Sequence, residues 1–564
     1  MTACAIVVLS QNSIELAKQI KTVLLNATIY GLAERTSNVD VSFTNFGDTL
    51  RELFASSTPI IGICAAGILI RTLAPVISDK RQEPPVLAVA EDGSAVVPLL
   101  GGLQGVNDLA RQIAAVLEIK AAITTTGDIR FHTALLAPKS GYHLANPDDA
   151  KKFIADLIAG ATVKLKGIAP WLINSKLPFD DNGQLTIKVT EYQVLPTPDC
   201  LVYHPATLAI ALTNADKKAV SCIQQMLADA GLAISSVAGI FAWESEAAIV
   251  DEIADNLNLP ARFFPVESCE NAEKIATSAT GTSGKLLLEQ QHGSMNIAIA
   301  VSEQVIDTNV IGRARGRLFI VGTGPGGANW MSPEVKKIIS EATDLVGYSF
   351  YLDLAGPLRE GQTRHEFDNR EELARAEMAL NLAASGRTVA IVSSGDPGIY
   401  AMAAAVFEVL DCHPQPEWQQ IQVHVAPGIS AIQAAAARIG APIGHDFCVI
   451  SLSDILKPWS IIERRIIAAA EADLAIAFYN PASKQRTSQL TSARDILLKY
   501  RSPQTVVVLA RNLGRPGESV VVRTLEQLSP QEVDMRTLVL IGSSKTRIVQ
   551  HPGGVWVYTP RTYS

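Results

Sequence analysis

Thr388-Val-Ala-Ile-Val-Ser-Ser-Gly395-Asp396-Pro397-Gly398-Ile399-Tyr400 is the stretch on which the reading of the fold turns. Its unbroken apolar, largely β-branched run predicts a strand buried on both faces, as in a parallel sheet covered by helices. The side-chain-poor Ser393, Ser394 and Gly395 leave the carboxyl end of that strand uncovered. Asp396 and Pro397 then read as the N-cap and first residue of a helix. Wound α/β sheets hold ligands outside the carboxyl ends of their strands, so a site is expected here.

The design recurs at two other strand ends. A strand over 318–321 runs into Gly322-Thr323-Gly324-Pro325-Gly326-Gly327, after which Ser332-Pro333-Glu334 opens a helix as N-cap, first residue and dipole-matched acid. A third end reads Ala426-Pro427-Gly428-Ile429-Ser430-Ala431 and leads into an Ala-rich helix. Three such openings predict one elongated small ligand held mainly by backbone. The first also satisfies G-x-G-x-x-G, which leaves a nucleotide-dependent oxidoreductase as an alternative. Several residues separate those glycines from the helix, however, and no acidic residue ends the next strand at the expected offset.

Further strands are expected at 5–9, 60–63, 86–90, 208–212, 389–392, 423–425, 474–478, 505–509 and 537–541. Helices are expected at 106–117, 150–158 and 217–230, the last stopped by Gly231. The fold class is α/β, with several wound domains. The Gly/Arg-rich segment 307–318 marks the main boundary, and Pro196, Pro198 and Pro205 suggest a break over 195–205. The expected domains are 1–130, 131–204, 205–311 and 317–564.

Composition excludes several classes. With 48% hydrophobic and 18% charged residues among 564, the chain is globular rather than disordered. From Arg317 onward it holds 24 Lys+Arg and 24 Asp+Glu, so the whole net charge of −8 lies in the first part. Neither part is basic, which argues against nucleic-acid binding. No apolar run approaches a membrane span of about 20 residues, and the first ten residues lack a basic leader. Cysteines 4, 64, 200, 222, 269, 412 and 448 form no C-x-x-C pair, which fits a reducing compartment and no metal site. A cytoplasmic protein is expected.

The ordered motifs G-T-G-P-G-G, S-S-G-D-P-G-I-Y, P-G-I-S-A, F-Y-N-P-A-S-K-Q-R (Phe478 to Arg486) and A-R-N-L-G-R-P-G-E (Ala510 to Glu518) resemble the S-adenosylmethionine-dependent tetrapyrrole methyltransferases. The last two, with Tyr348-Ser-Phe-Tyr351, most resemble the precorrin-3B C-17-methyltransferases, the ring-contracting enzymes of cobalamin synthesis. The resemblance covers Gly316 to the end. It implies two α/β domains with a cleft between them, S-adenosylmethionine in the cleft, precorrin-3B or cobalt-factor III as substrate, and a homodimer. Carried over by motif, the cofactor contacts are Pro325, Ser394, Gly395, Asp396, Ile399, Ser430, Ala431, Tyr479 and Asn512. The substrate carboxylates call for guanidinium forks. Arg364, Arg486, Arg511 and Arg515 are the principal candidates, and Arg359, Arg370 and Arg375 are further ones. The loop around 361–368 offers His365 and Asp368 for the proton transfers of ring contraction. The isolated Cys412 and Cys448 cannot supply the four thiolates of an iron-sulfur cluster.

The first part carries a second resemblance. Ile61-Gly-Ile-Cys-Ala-Ala-Gly67-Ile-Leu-Ile-Arg71-Thr-Leu-Ala-Pro75, Ser78-Asp79-Lys80, Val96-Val-Pro-Leu-Leu-Gly101-Gly102 and Ile123-Thr-Thr-Thr-Gly-Asp128 are similar to the cobalt-precorrin-5A hydrolases, which open the ring-A lactone formed on contraction. Two departures stand out: Leu103 occupies the position of that family's histidine, and Ala209-Ile-Ala-Leu212 replaces its G-x-G-C turn. Arg71, Asp79, Lys80 and His132 are the remaining polar candidates. A hydrolase and a non-catalytic tetrapyrrole carrier are both open for this part.

Overall fold

The computed structural model of the chain describes residues 4–562 apart from 25–26, 81, 357, 360, 369–370 and 484–485. The chain divides into two compact units, Met1–Arg315 and Gly316–Ser564.

Among the described residues, the first unit holds three sheets. The first sheet runs in the order Val41–Phe43, Thr28–Leu32, Ala5–Val8, Ile60–Ile63, Val86–Val89, Val96–Leu100, with only the last strand antiparallel to its neighbour. Its central strands are buried at every position, with one core on each face, as their unbroken apolar runs require. A four-stranded sheet spans Tyr142–Leu144 to Cys200–Pro205. A five-stranded sheet is built on the fully buried Leu208–Thr213 strand. Cys200–Pro205 is thus a strand rather than part of a break. Pro205 ends it, where a missing N–H is tolerated, and the change of sheet falls between Pro205 and Leu208.

The second unit has two main sheets. The first is fully parallel, in the order Thr363–Phe367, Asp344–Tyr348, Thr388–Ser393, Arg317–Gly322, Gln422–Ala426. Leu318, Ile320, Val389 and Ile391 face Ala376, Ala379, Leu380 and Ala383 of the Glu372–Ala384 helix. Val321, Ala390 and Val392 face the Pro333–Glu341 helix on the other side. The second sheet is mixed: Phe447–Ser451, Ala475–Tyr479, Thr537–Ile541, Val506–Arg511, Ser519–Thr524.

Two local expectations fail for physical reasons. The 361–368 segment is not a loop: Thr363–Phe367 is the edge strand of the parallel sheet, polar because one of its sides is unpaired. Asp396 and Pro397 do not open a helix. The helix begins at Met402, and the carboxylate of Asp396 serves two loop N–H groups instead.

Three parallel strand ends meet at Gly322, Gly395 and Gly428. A Cβ at Gly428 would lie 2.1 Å from the Gly395 carbonyl oxygen and 2.6 Å from that of Gly322, with no flexible side chain to yield. Gly395 has φ +70°, and a Cβ there would meet nothing within 4 Å. We therefore expect Gly428→Ala to destabilise this unit by about 2 kcal/mol or more, a fall of about 4–8 °C in its melting temperature. Gly395→Ala bears only the left-handed penalty of about 1 kcal/mol. Thermal unfolding of the two variants should place Gly428→Ala lower, and the reverse order would refute the backbone contact.

Candidate functional site

The Thr388–Ser393 and Arg317–Gly322 strands are parallel neighbours, and their exits are stitched together. Gly395 N–H donates to the Gly324 carbonyl at 2.7 Å, and Gly324 N–H returns to the Gly395 carbonyl at 3.2 Å. Buried Thr323 adds its own N–H and its hydroxyl, both donating to the Ser393 carbonyl, at 2.9 and 3.1 Å. Asp396 locks the third exit: Oδ1 accepts from Gly398 N–H at 2.8 Å and Oδ2 from Gly428 N–H at 3.1 Å. The glycines therefore divide their work. Gly322 and Gly428 exist for mutual backbone approach, Gly324 lies against Trp330, and at Gly395 the place of a side chain is open space.

The second half of this unit closes around the same edge. Ser430 caps the Ala431–Ile439 helix in a capping box with Gln433. The Tyr479 hydroxyl accepts from Ile432 N–H at 3.2 Å, and burial pushes that phenol above its ordinary range. The Tyr479 ring lies 5.5 Å from that of Tyr400, whose hydroxyl donates to the Val449 carbonyl at 3.0 Å. Asn512, in the left-handed region at φ +51°, begins the tight loop to Gly517. From this loop Arg515 reaches across: Nε donates to the Pro325 carbonyl and Nη2 to the Ser394 hydroxyl, each at 2.7 Å, with the guanidinium 5.1 Å above the Phe350 ring. Burial depresses its pKa. Pro325, Ser394, Gly395, Asp396, Ser430, Ala431, Tyr479 and Arg515 thus belong to one continuous polar framework, with Ile399 on the turn closed by Asp396 and Asn512 behind Arg515.

Other candidates lie elsewhere. The His365 ring donates from Nε2 toward Oδ1 of fully buried Asp344 at 2.8 Å, and Arg387 Nε lies 2.6 Å from Oδ2 of the same carboxylate. Asp344 begins its strand, so this tie points His365 toward the amino edge of the sheet, away from the glycine exits. Asp368 is exposed, and among the described residues its backbone is engaged, through Glu371 and Arg375. Arg364 is divided among Asp353, Glu366 and the Ser349 carbonyl, each within 2.9 Å. Arg511 pairs with Asp534 at 2.9 Å, and Arg359 turns to the Ser340 carbonyl. Arg486 is buried against the Asn480 carbonyl and the Met535 sulfur. Arg370 lies outside the described residues, as do positions 484–485 of the F-Y-N-P motif.

In the first unit Arg71, Asp79, Lys80 and His132 are all exposed. Among the buried polar groups there is Asp128, held by Asn107 Nδ2 at 2.7 Å and Arg111 Nη2 at 2.6 Å. Arg111 also pairs with Asp108 at 2.9 Å, and Lys139 with Asp108 at 2.6 Å. The Thr-Gly-Asp128 motif marked the position, but its partners lie 17 and 21 residues away and cannot be read locally. Cys64, at the carboxyl end of a central strand, has its thiol pushed up to about 11 by burial and stays protonated at neutral pH. Among the described residues, no group of three His, Cys, Asp or Glu side chains is placed to hold a metal, and no helix is long and apolar enough to cross a membrane.

Residues 317–529 match the family of Tetrapyrrole (Corrin/Porphyrin) Methylases, and residues 48–128 match the family described as Cobalamin synthesis G N-terminal. The chain is 44% identical over 305 residues to the cobalamin biosynthesis protein CobIJ of Mycobacterium tuberculosis, covering 51% of this chain and 59% of that protein. It therefore spans about three fifths of the length of these relatives. Against a precorrin-3B C(17)-methyltransferase of Sinorhizobium sp it is 49% identical over 250 residues, covering 44% of this chain and 98% of that enzyme. A crystal structure of the methyltransferase CobJ is 48% identical, with a TM-score of 0.41, covering 43% of this chain and 100% of that one. With 49% identity extending over 98% of the Sinorhizobium enzyme, the chain belongs to the tetrapyrrole methylase family.

Proposed function

We propose that the Gly316–Ser564 unit transfers a methyl group from S-adenosylmethionine to C-17 of precorrin-3B, or of its cobalt-containing counterpart, with contraction of the macrocycle. The observation that carries this reading is the locked meeting of three strand exits around Gly395, with open space where a side chain on Gly395 would stand. The open space where a Gly395 side chain would stand suits a donor too bulky to tolerate one there. The substrate class follows the Sinorhizobium relative, a precorrin-3B C(17)-methyltransferase.

S-adenosylmethionine, when bound, supplies an electrophilic methyl group whose transfer discharges a sulfonium. Such a displacement needs alignment and dryness more than a nucleophile from the protein. Asp396 holds two loops in register, Arg515 fixes the Pro325 carbonyl and the Ser394 hydroxyl, and the Tyr400–Tyr479 pair forms an apolar wall. His365, committed to Asp344, is not the acid or base of ring contraction in this reading. We assign the Met1–Arg315 unit, with divisions near 130 and 204, to handling the same tetrapyrrole intermediates, and we expect the chain to dimerise through Gly316–Ser564. The match over residues 48–128 favours a lactone-directed role for the first unit, although Leu103 removes one proton shuttle.

Incubating the full chain with labelled S-adenosylmethionine and a trimethylated corrin precursor should yield a product heavier by one methyl group. An unlabelled product of unchanged mass, or saturable NAD(P) binding in place of the sulfonium donor, would sink the transferase reading. Release of acetaldehyde from the subsequent lactone intermediate would assign lactone opening to the first unit, and its absence would leave that unit a binding module.

Asp396→Ala deprives Gly398 and Gly428 of their acceptor and unlocks two exits together. S-adenosylhomocysteine affinity, measured by calorimetry, should fall about tenfold or more, the equivalent of about 1.4 kcal/mol. Unchanged affinity would show that the lock does not shape the donor site.

A further inference from the structure

Arg375 lies in the first turn of the Glu372–Ala384 helix and is only 3% exposed, yet it forms no ion pair among the described residues. Its Nη2 donates to the Asp368 carbonyl at 2.8 Å, its Nη1 points at the Met402 sulfur at 3.2 Å, and its Nε has no partner among the described residues. A thioether is a weak acceptor. The neighbouring Glu371 and Glu372 are exposed, and Glu371 is engaged with the Asp368 N–H. Burial depresses the guanidinium, with those carboxylates offsetting it only from a distance.

A further buried polar group at the carboxyl edge of the same sheet is equally unanswered. Ser393, the last residue of the central strand, is 2% exposed, and its hydroxyl has no partner. By strand alternation it shares a face with Val389 and Ile391, which pack with Met402 against the Glu372–Ala384 helix. Tyr351 beside them is half-buried, with its ring 5.3 Å from that of Tyr348, and burial pushes its phenol up. Its charged neighbours are Arg515, Arg375 and Glu372. A buried guanidinium without a counter-charge is costly, and buried polar atoms without partners are uncommon enough to require a reason.

We propose that Arg375, with Ser393 and Tyr351, forms a recessed carboxylate site beside Gly395, in which the Met402 sulfur holds the place of a ligand oxygen. A planar two-oxygen acceptor matches the guanidinium edge, and a flexible thioether can withdraw without rupture of a strong bond. The inference rests on the methyl-transfer reading, whose two ligands both carry carboxylates: the amino-acid end of the sulfonium donor and the acetate and propionate arms of the macrocycle. The shared chemistry is the carboxylate, and the experiment separates the sources.

Full-length wild type and Arg375→Gln are titrated with S-adenosylhomocysteine, with 5′-methylthioadenosine, which lacks the carboxylate, and with the octacarboxylate uroporphyrin III. An affinity for S-adenosylhomocysteine at least tenfold weaker in the variant, with methylthioadenosine unchanged, assigns the donor's carboxylate. A tenfold loss confined to uroporphyrin assigns the macrocycle. Affinities within twofold for all three, in a variant that melts with the wild type, overturn the site and leave Arg375 a purely structural cation. Should the variant fail to fold, the wild type still decides. Acetate should weaken S-adenosylhomocysteine or uroporphyrin binding at least threefold relative to chloride at equal ionic strength, and equal effects of the two salts overturn the proposal. Failure of the underlying reading looks different: wild type would then bind neither ligand, and an acetate-dependent rise in melting temperature, present in wild type and absent in Arg375→Gln, would test the carboxylate site alone.

Discussion

The second unit depends on a backbone-to-backbone contact. Adjacent parallel strands run about 4.8 Å apart, so the chains leaving 317–322, 388–393 and 422–426 emerge into the same space. They avoid collision because Gly322 and Gly428 carry no Cβ where the Gly395 carbonyl passes. Once the three exits touch, Asp396 fixes two of them with one carboxylate, and the turn at 396–398 needs no helix to hold it. The Asn512–Gly517 loop can then dock: Gly327 N–H meets the Gly514 carbonyl at 3.1 Å, and Arg515 finds both of its acceptors in place. A residue with a side chain at 428 would disturb each later contact in this sequence.

The same chain of dependence explains what could be read from the sequence. Strands buried on both faces need continuous apolar residues, so 60–63, 389–392 and 537–541 were legible almost to the residue. Thr363–Phe367 was not, because an edge strand can carry Arg364, His365 and Glu366 where no second neighbour demands apolar cover. Asp396-Pro397 obeys the local grammar of a helix start, but a local turn partner 2 residues on and a tertiary partner 32 residues away take its carboxylate instead. The sequence offers His365 as an acid or base for ring contraction. Its actual partner, Asp344, lies 21 residues upstream and is brought under it by strand pairing. The motif residues of the glycine exits were legible because their chemistry is local, whereas the arginine assignments were not, since a guanidinium reaches far and its partner decides its role.

Comparing the arginines by sheet edge extends this point. At the amino edges, the buried groups meet oxygen acceptors. Arg387 and His365 share both oxygens of Asp344. Arg501, near the start of 475–479, has Nη1 on the Gly542 carbonyl at 2.7 Å and Nη2 on the carbonyls of Leu474 and Ala469. At the carboxyl edges, the buried guanidiniums are held more loosely. Arg375 and Arg486 each combine one backbone carbonyl with one methionine sulfur. Stability alone would favour carbonyl or carboxylate acceptors at both edges, because a thioether returns little of the solvation that a buried cation loses. The asymmetry follows the glycine exits, so it has the form expected when one end of a sheet is satisfied by the chain itself and the other by something the chain receives.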